Sequence, residues 1–588
     1  MSLFDYPDQD ALGSVLSVDT GMVVVRVADI ERLRQLQVNR LVVLRSSRAG
    51  QHLVGIIQKI TRSISERRIA AIEPDDADDQ EIGADQPSEI NLVRIALIGT
   101  FVDRHRGATN VFLRTLETVP EIDADCFSVE NEKLTGFMQA VARIAKDGQR
   151  LLLGKYTLDE KADAYLNGNK FFQRHAAIVG STGSGKSWAT ATLLEQAADL
   201  PNSNAIVFDI HGEYGPLQGP GFRHLRVAGP GDLGDTSLAD GVLFLPYWLL
   251  GYEALVSMLV DRSDQNAPNQ AMVVQRAIVK AKQAYISGLG RADLLDNFTI
   301  DSPIPFDIDA VLGELERLNT EMVPGAKTEK QGDFHGKLSR LIARLESKRS
   351  DRRLGFMFQG GSDTMRFEWL QEMAAALVAG RADLPGQTGG VKIIDFSEVP
   401  SDILPLIISL VARLTFSIQQ WMLADRRHPV ALFCDEAHLY IPDRAQTDAA
   451  SEIAIQIFER IAKEGRKYGV GLVVISQRPS EVNRTILSQC NNLVAMRLTN
   501  GDDQGVIKRL LPDSLGGFGD LLPVLDTGEA LVVGDASLLP SRIRIAEPTN
   551  RPASGTIEFW DRWGAVEGGG SNVVQEAVDG WRNQTLRV

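Results

Sequence analysis

The stretch that decides the fold is residues 176–187, which read AAIVGSTGSGKS. The first four residues form an apolar run typical of a buried strand, and a helix-permissive stretch, residues 188–198, follows the last eight. Those eight fit the phosphate-binding loop pattern, in which backbone amides surround the β-phosphate, the lysine reaches the β- and γ-phosphates, and the last hydroxyl binds Mg²⁺. The sequence therefore predicts a site for a nucleoside triphosphate, made by Gly180, Ser181, Thr182, Gly183, Ser184, Gly185, Lys186 and Ser187.

A second apolar run, residues 430–434, ends in Asp435 and Glu436. Ligands gather at the carboxyl ends of strands in open α/β sheets, so we expect both acids to lie near the phosphate loop. Asp435 is predicted to hold Mg²⁺ together with Ser187. Glu436 is predicted to orient the attacking water, because an in-line displacement needs an aligned nucleophile.

Other predicted strands end in polar side chains at the same edge. Residues 471–475 lead to Gln477, a candidate sensor of the γ-phosphate, and residues 205–208 lead to Asp209 and Glu213. For the last two, a loop or helix-capping role stays open beside a catalytic one. Such strands alternate with helical patterns, which predicts an α/β fold with a parallel sheet covered on both faces.

Five motifs stand in a fixed order: GSTGSGKS, FDIHGEY, CDEAHLYIP, RIAKEGRKYGVGLVVISQRPSEVN and TGEALVVG. In this order they resemble the HerA translocases of the FtsK/HerA branch of P-loop ATPases, over about residues 10–550. The DEAH string also occurs in DEAH-box helicases, but a second tandem RecA-like domain with that group's motifs is not found in the sequence.

The resemblance implies a RecA-like P-loop ATPase core with an N-terminal small β-barrel and a helical insertion. It implies a homohexameric ring that uses ATP and Mg²⁺ to translocate on or unwind double-stranded DNA in its central pore. It also implies an arginine supplied to the γ-phosphate of a neighbouring subunit. The candidates are Arg466, Arg460 and Arg174.

The resemblance further implies a separate effector protein, either a nuclease in DNA end processing or a nuclease or sirtuin-like NADase in antiviral defence. Two alternatives stay open. One is an ATPase of the secretion or conjugation type, and the other is a ring scaffold in which ATP is mainly structural.

The net charge of −15 is unusual for a DNA-binding protein, since duplex affinity comes largely from neutralising phosphates. A ring needs basic residues only in its pore, and residues 327–353 hold nine Lys and Arg against four Asp and Glu. Four of them recur at helical spacing and are candidate DNA contacts, although a solvated helix face explains the pattern equally well: Lys337, Arg340, Arg344 and Lys348.

The remaining sequence indicates a cytoplasmic protein that is not inserted in a membrane. The acidic N-terminus lacks the pattern of a signal peptide, and no apolar run is long enough to cross a bilayer. The three cysteines show no disulfide or metal spacing.

Composition and strand spacing divide the chain into six predicted segments. Residues 73–89 are acidic and predicted to form a flexible loop, and the tryptophan-bearing tail is predicted to pack on a neighbour or partner. The segments are a β-barrel assembly domain (1–100), a connector (101–150), the first part of the ATPase core (151–250), a helical insertion (251–375), the second part of the core (376–548) and a tail (549–588).

Overall fold

The computed structural model describes twelve stretches of the chain, and the loop predicted over residues 73–89 lies almost wholly outside them. They are residues 3–19, 21–65, 88–105, 109–142, 150–233, 237–324, 328–379, 390–447, 449–512, 516–555, 557–565 and 571–584. The chain forms two compact units. Unit 1 contains residues 1–171 and 492–546, and unit 2 contains residues 172–491 and 547–588.

The strands of the described residues are, in chain order, β1 (Gly13–Asp19), β2 (Met22–Arg26), β3 (Leu41–Arg45), β4 (Gln51–Ser65), β5 (Ser88–His105), β6 (Thr109–Leu113), β7 (Asp125–Ser128), β8 (Arg150–Tyr156), β9 (Asp159–Asn167), β10 (Ala176–Val179), β11 (Ala205–Asp209), β12 (Phe222–Val227), β13 (Val242–Leu243), β14 (Met322–Val323), β15 (Lys330–Gln331), β16 (Val391–Asp395), β17 (Val430–Cys434), β18 (Val470–Ser476), β19 (Asn492–Met496), β20 (Glu529–Gly534) and β21 (Ser541–Ile545).

The α-helices of the same residues are α1 (Ile30–Gln35), α2 (Asn131–Ala142), α3 (Gly168–Gln173), α4 (Lys186–Ala198), α5 (Tyr252–Leu259), α6 (Ala267–Gly288), α7 (Ala292–Leu295), α8 (Ile308–Thr320), α9 (Ser339–Ser350), α10 (Gly355–Phe358), α11 (Trp369–Val378), α12 (Leu404–Trp421), α13 (Ala449–Tyr468), α14 (Arg484–Ser488), α15 (Gly501–Leu510), α16 (Gly516–Gly519), α17 (Phe559–Gly564) and α18 (Ser571–Asn583). None of these described helices combines the length and the apolar character needed to cross a membrane.

Unit 1 contains a closed antiparallel barrel, which confirms the predicted N-terminal β-barrel. Among the described residues its strands pair in the order β2-β1-β7-β3-β4-β5, and β5 pairs back to β2. Closure leaves no unpaired edge within this ring of strands. The interior is filled by alternating residues of these strands, including Val15, Val23, Leu44, Leu53 and Ile95.

The barrel extends past residue 100, where the sequence predicted its end. Strand β5 crosses that position, and β7 lies at residues 125–128, inside the predicted connector. Strand β7 is needed for closure because it pairs with both β1 and β3.

The rest of unit 1 holds a second antiparallel arrangement, in the order β19-β20-β21-β8-β9. Residues 151–171 and 492–546 were predicted to belong to the ATPase core. They instead group with unit 1, because β8 and β9 pair with each other and β8 pairs with β21.

Unit 2 is built on a parallel sheet in the order β13-β12-β16-β11-β17-β18-β10. The central strands β11, β17 and β18 are buried along their whole length, as expected for a sheet with both faces covered. The prediction of an α/β fold with a parallel sheet is confirmed. Because all strands run the same way, the segments that follow them meet at one edge.

The stretch predicted as a helical insertion, residues 251–375, contains α5 to α10, most of α11 and the short β14–β15 hairpin. The tail contains α17 and α18. Most of its large apolar side chains face solvent, including Trp560 at 83% and Trp581 at 76% exposure.

Candidate active site at the carboxyl edge of the parallel sheet

The phosphate loop joins β10 to α4, as the sequence predicted. The strand is fully buried, and its register with β18 brings Val179 beside Ser476. The N–H of Gly180 donates to the carbonyl of Ser476 at 3.3 Å. Gly183 and Gly185 have φ angles of 72° and 110°, a region that glycine adopts without strain. The loop is therefore held at its start by a hydrogen bond, and its glycines allow the tight turn at its centre.

Lys186 opens helix α4 and is buried at the base of the loop. Its ammonium group lies 3.4 Å from the carbonyl oxygen of Ser181. Burial lowers the pKa of Lys186, while the charges of Glu436, Asp435 and Glu213 raise it. One buried cation thus stands among three carboxylates, which come from two separate segments of the sequence.

Glu213 reaches the last residue of the loop. The hydroxyl of Ser187 donates to Glu213 Oε2 at 2.8 Å. The carboxylate of Asp209 accepts the N–H groups of Glu213 at 2.9 Å and of Tyr214 at 3.0 Å. Burial raises the pKa of Asp209 to about 6, and the two backbone hydrogen bonds oppose this shift. Asp209 therefore shapes the loop after β11, and Glu213 is the side chain that the loop delivers.

Asp435 and Glu436 follow β17. Asp435 is 4% exposed, and burial raises its pKa well above the usual range, with smaller contributions from the charges of Glu436, Glu213 and Asp209. Such repulsion among buried acids is relieved by a cation. Glu436 has a φ angle of 42°, a left-handed conformation that is strained for a non-glycine residue.

The donor set fits Mg²⁺ held mainly through phosphate and water. Within the described ranges, no group of three or more His, Cys, Asp or Glu side chains could hold a metal ion alone. Mg²⁺ commonly takes only one or two protein ligands beside substrate phosphates, which Ser187 and Asp435 could supply. Ser184 Oγ and Glu436 Oε2 are buried and have no hydrogen-bond partner among these same residues. Such polar atoms suit a site that receives a polar ligand.

Gln477 follows β18, next to the phosphate loop. The hydroxyl of Thr182 donates to Gln477 Oε1 at 2.5 Å, so the structure brings the predicted sensor into contact with the loop. Its side chain is placed by the strand, because Ser476 pairs with Val179 directly before the loop.

His438 is a residue of this edge that the sequence analysis did not single out. Its Nδ1 atom lies 3.3 Å from Glu436 Oε2 and 3.2 Å from Ser476 Oγ. The histidine stands inside the quoted CDEAHLYIP motif, two residues after Glu436. Its contact with a strand end 38 residues away follows from the neighbouring positions of β17 and β18.

Two of the three arginine candidates, Arg174 and Arg466, lie away from this cluster of acids. Arg174 is half-buried two residues before β10, and Arg466 is exposed near the end of α13, four residues before β18. Both therefore lie at the amino edge of the sheet, and β10 alone spans about 13 Å toward the other edge. Among described residues, Arg466 makes no ion pair or hydrogen bond through its side chain.

Arg460 is held by its own chain. Its guanidinium donates to Gln420 at 3.3 Å, lies 3.6 Å from the carboxylate of Glu464, and stacks over Phe416 at 5.0 Å from the ring centroid.

The candidate DNA-contact residues are on or beside α9, and two of them face acids of the same unit. Arg340 lies 3.9 Å from Asp264, and Arg344 lies 3.6 Å from Asp261. The ammonium group of Lys337 donates to the carbonyl of Asp333 at 2.8 Å, and Lys348 lies half-buried on α9. Part of the positive charge of this helix is therefore balanced locally.

Comparison with known proteins extends this picture. Residues 151–415 match the family described as the central domain of helicase HerA. The chain is 24% identical over 465 residues to the DNA double-strand break repair helicase HerA of Pyrococcus furiosus, covering 73% of this chain and 76% of that protein. It is also 24% identical over 424 residues to a probable helicase of Methanocaldococcus jannaschii, covering 70% of each chain.

Among solved structures, VirB4 of Thermoanaerobacter pseudethanolicus matches with a TM-score of 0.43 and 17% identity, covering 69% of this chain and 98% of that one. The match to the HerA central domain includes the phosphate loop, residues 180–187. Residues 151–415 are thus similar to the central domain of helicase HerA, and they include the phosphate loop of a P-loop ATPase.

Proposed function

We propose that this chain is an ATP-driven motor that works on double-stranded DNA as a homohexameric ring. The observation that carries the proposal is the meeting of Lys186, Ser187, Asp435, Glu436 and Gln477 at one edge of the parallel sheet in unit 2. The relatives named as DNA double-strand break repair helicases support DNA as the substrate.

The residues divide the work of hydrolysis among them. Lys186 and the loop amides bind the phosphates, Ser187 and Asp435 hold Mg²⁺, and Glu436 orients the attacking water. Mg²⁺, when bound, neutralises charge on the transferred phosphoryl group. Gln477 reports the state of the loop through Thr182, at 2.5 Å.

A ring explains the positions of the arginine candidates. Arg174 and Arg466 lie at the sheet edge opposite the phosphate loop of their own chain, so we assign either side chain to the phosphate site of a neighbouring subunit. Arg466 is exposed and is our first candidate for the arginine supplied in trans. Cyclic closure then gives every subunit one complete site.

We further propose a separate effector chain as the partner of the ring, either a nuclease or an NADase-type enzyme. The tail carries Phe559, Trp560 and Trp563 at 62%, 83% and 73% exposure, and such apolar surface suits a protein partner. Lys337, Arg340, Arg344 and Lys348 remain the proposed DNA contacts.

Two measurements test the motor. ATP hydrolysis by the pure chain should rise on addition of double-stranded DNA, and mass photometry should show a hexamer. ATPase activity that responds to a protein partner and not to DNA would favour a secretion or conjugation ATPase. A stable monomer with full DNA-stimulated activity, or DNA cleavage by the pure chain, would overturn the ring or the separate effector.

Lys186→Ala tests the assignment of the phosphate loop, and Lys170→Ala is its matched control. Lys170 is exposed on α3 and takes no part in the loop. Lys186→Ala should weaken nucleotide binding itself, because it removes a buried cation of the site. Unchanged nucleotide affinity in Lys186→Ala would contradict the assignment of the loop.

A further inference from the structure

The imidazole of His438 stands between two oxygen atoms that belong to different parts of the site. Its Nδ1 atom is 3.3 Å from Glu436 Oε2 and 3.2 Å from Ser476 Oγ. The side chains of His438 and Glu436 are 9% and 11% exposed, so water competes little for either group. Few alternatives therefore exist for the Nδ1 hydrogen bond.

Glu436 needs such a contact because, within the part of the chain that the structure describes, no hydrogen bond fixes its Oε2 atom. Its backbone is in the left-handed region, with a φ angle of 42°, at the start of a short 3-10 helix over residues 437–439. Among described residues Glu436 Oε2 has no hydrogen bond of good geometry, and the Nδ1 atom of His438 is the nearby donor. A small rotation of the carboxylate or the ring would complete this bond.

Ser476 connects the histidine to the sensor. Its hydroxyl oxygen accepts the N–H of Arg478 at 3.0 Å, and its carbonyl accepts the N–H of Gly180 at the start of the phosphate loop. The next residue, Gln477, accepts the hydroxyl of Thr182. Ser476 and Gln477 thus each make one hydrogen bond to the phosphate loop.

Burial lowers the pKa of His438, and the charges around it act in opposite directions. Glu436 raises this pKa, whereas Arg478, Lys186 and His211 lower it. A neutral ring has one proton at most on Nδ1, and that proton can be donated to Glu436 or to Ser476. The ring is thus able to exchange one partner for the other.

We propose that His438 is a positioning residue that orients the carboxylate of Glu436 and couples it to the end of the sensor strand at Ser476. The inference rests on the proposed function, in which Glu436 orients the attacking water. His438 does not contact the reacting atoms in this scheme. It acts by holding Glu436 when the loop and Gln477 are in the arrangement that supports hydrolysis.

The test is steady-state ATP hydrolysis and ATP binding by the full chain with DNA present. His438→Ala should lower kcat by about 10- to 100-fold, while the Kd for ATP changes by less than about threefold. His438→Asn keeps an N–H near the position of Nδ1 and should recover most of the lost kcat. His335→Ala, on a half-buried loop histidine of unit 2 that the site does not use, is the matched control.

The variant Ser476→Ala tests whether His438 couples Glu436 to Ser476. If both partners act through the same ring, the effects of His438→Ala and Ser476→Ala on kcat should be less than additive in the double variant. Additive effects would remove Ser476 from the proposal. Unchanged kcat in His438→Ala, or equal loss of kcat and affinity, would overturn the positioning role, as would failure of His438→Asn to recover activity.

Glu436→Gln separates this inference from the function on which it rests. Full hydrolysis by Glu436→Gln would refute the role of Glu436, whereas an inactive Glu436→Gln beside a fully active His438→Ala would refute only the role of the histidine. If His438→Ala does not fold, the kcat of His438→Asn is compared with that of His438→Gln to test the positioning role. The glutamine side chain is longer, so its amide lies away from the position of the His438 Nδ1 atom. The kcat of His438→Gln should therefore remain low.

Discussion

The carboxyl edge of the parallel sheet and the basic helices α9 and α13 are both rich in charged residues, but their charges are arranged differently. At the edge, Lys186 is buried near the carboxylates of Glu213, Asp435 and Glu436. On α9, the side chain of Arg340 is 79% exposed and that of Arg344 is 47% exposed, and each forms an ion pair with an acid of its own chain.

The difference reflects how each region positions its side chains. Strand ends are fixed by the register of the sheet, so residues far apart in sequence are brought to one place. A helix face presents charges at regular spacing, but helical spacing alone does not choose their partners. Exposed ion pairs also contribute only about 0–1 kcal/mol each, so those on α9 bind weakly to their acids and are available for other anions.

The strongest challenge to this comparison is Arg466, an exposed helix residue proposed to complete a neighbour's site. Arg466→Ala should lower turnover by roughly 10³- to 10⁵-fold, the range for an arginine supplied in trans. ATPase rates of mixed rings check it. Rings that combine Arg466→Ala with Glu436→Gln should regain activity where one interface receives both intact residues. Lys467→Ala, on the adjacent exposed residue, is the control. Simple dilution, with normal turnover in Arg466→Ala alone, would exclude the role.

Glu436→Gln tests the edge itself. Turnover should fall by about 10²- to 10⁴-fold because the carboxylate that orients water is lost. ATP should still bind, since Lys186 and Asp435 are unchanged. The rate of ATP hydrolysis and the affinity for ATP should both be measured on one preparation of Glu436→Gln. Glu464→Gln, an exposed carboxylate on α13, is the control. Loss of ATP affinity in Glu436→Gln would indicate a binding role in place of a catalytic one.

Glu213→Gln should have an intermediate effect. In the native chain Glu213 accepts the Ser187 hydroxyl at 2.8 Å, and the amide oxygen of Gln can still accept it, but the variant removes one negative charge near Ser187 and Asp435. The Mg²⁺ concentration for half-maximal hydrolysis should therefore rise by about 10-fold. A Mg²⁺ titration of activity checks this, with Glu253→Gln on the exposed face of α5 as control. An unchanged Mg²⁺ requirement would assign Glu213 to the loop alone.

Much of the site was predictable because each motif stands at a strand end. Apolar runs in the sequence predict the strands, and the site residues stand in the segments directly after them: Lys186, Asp435, Glu436 and Gln477. What the sequence left open was which of the nearby side chains touch. The hydrogen bond from Ser187 to Glu213 and the contacts of His438 join segments that only the strand order brings together.

The fold was predicted less well at its boundaries than in its type. The barrel and the parallel sheet were both expected from runs of apolar residues. The end of the barrel was placed too early because β7 has only four residues and follows a long irregular stretch. Residues 492–546 were assigned to the core because the last of the five motifs, residues 527–534, lies in them. Their strands instead pair in an antiparallel arrangement that continues to β8 through β21.

Substitution of His175 is expected to have the smallest effect on turnover. The residue is a useful contrast to the carboxyl edge because it is buried at the amino edge of the same sheet. Its Nδ1 accepts the N–H of Leu472 at 2.9 Å, so Nε2 carries the proton and donates to the carbonyl of Ala462 at 3.1 Å. Burial lowers the pKa of His175 to about 4, below its ordinary value of 6.5. This group is structural, since it ties α13 and β18 to the strand that leads to the phosphate loop.

The folded state therefore binds this proton less readily than the unfolded state, and stability is lost as pH falls from about 6.5 toward about 4. His175 should account for a loss of up to about 3 kcal/mol in the free energy of unfolding over that interval. Asp209 has a raised pKa and acts in the opposite direction, so the quantity to measure is the difference between wild type and His175→Gln in urea unfolding. This difference should narrow as pH falls, whereas His335→Gln should parallel wild type. A constant offset between wild type and His175→Gln across this range would show that His175 does not titrate with folding.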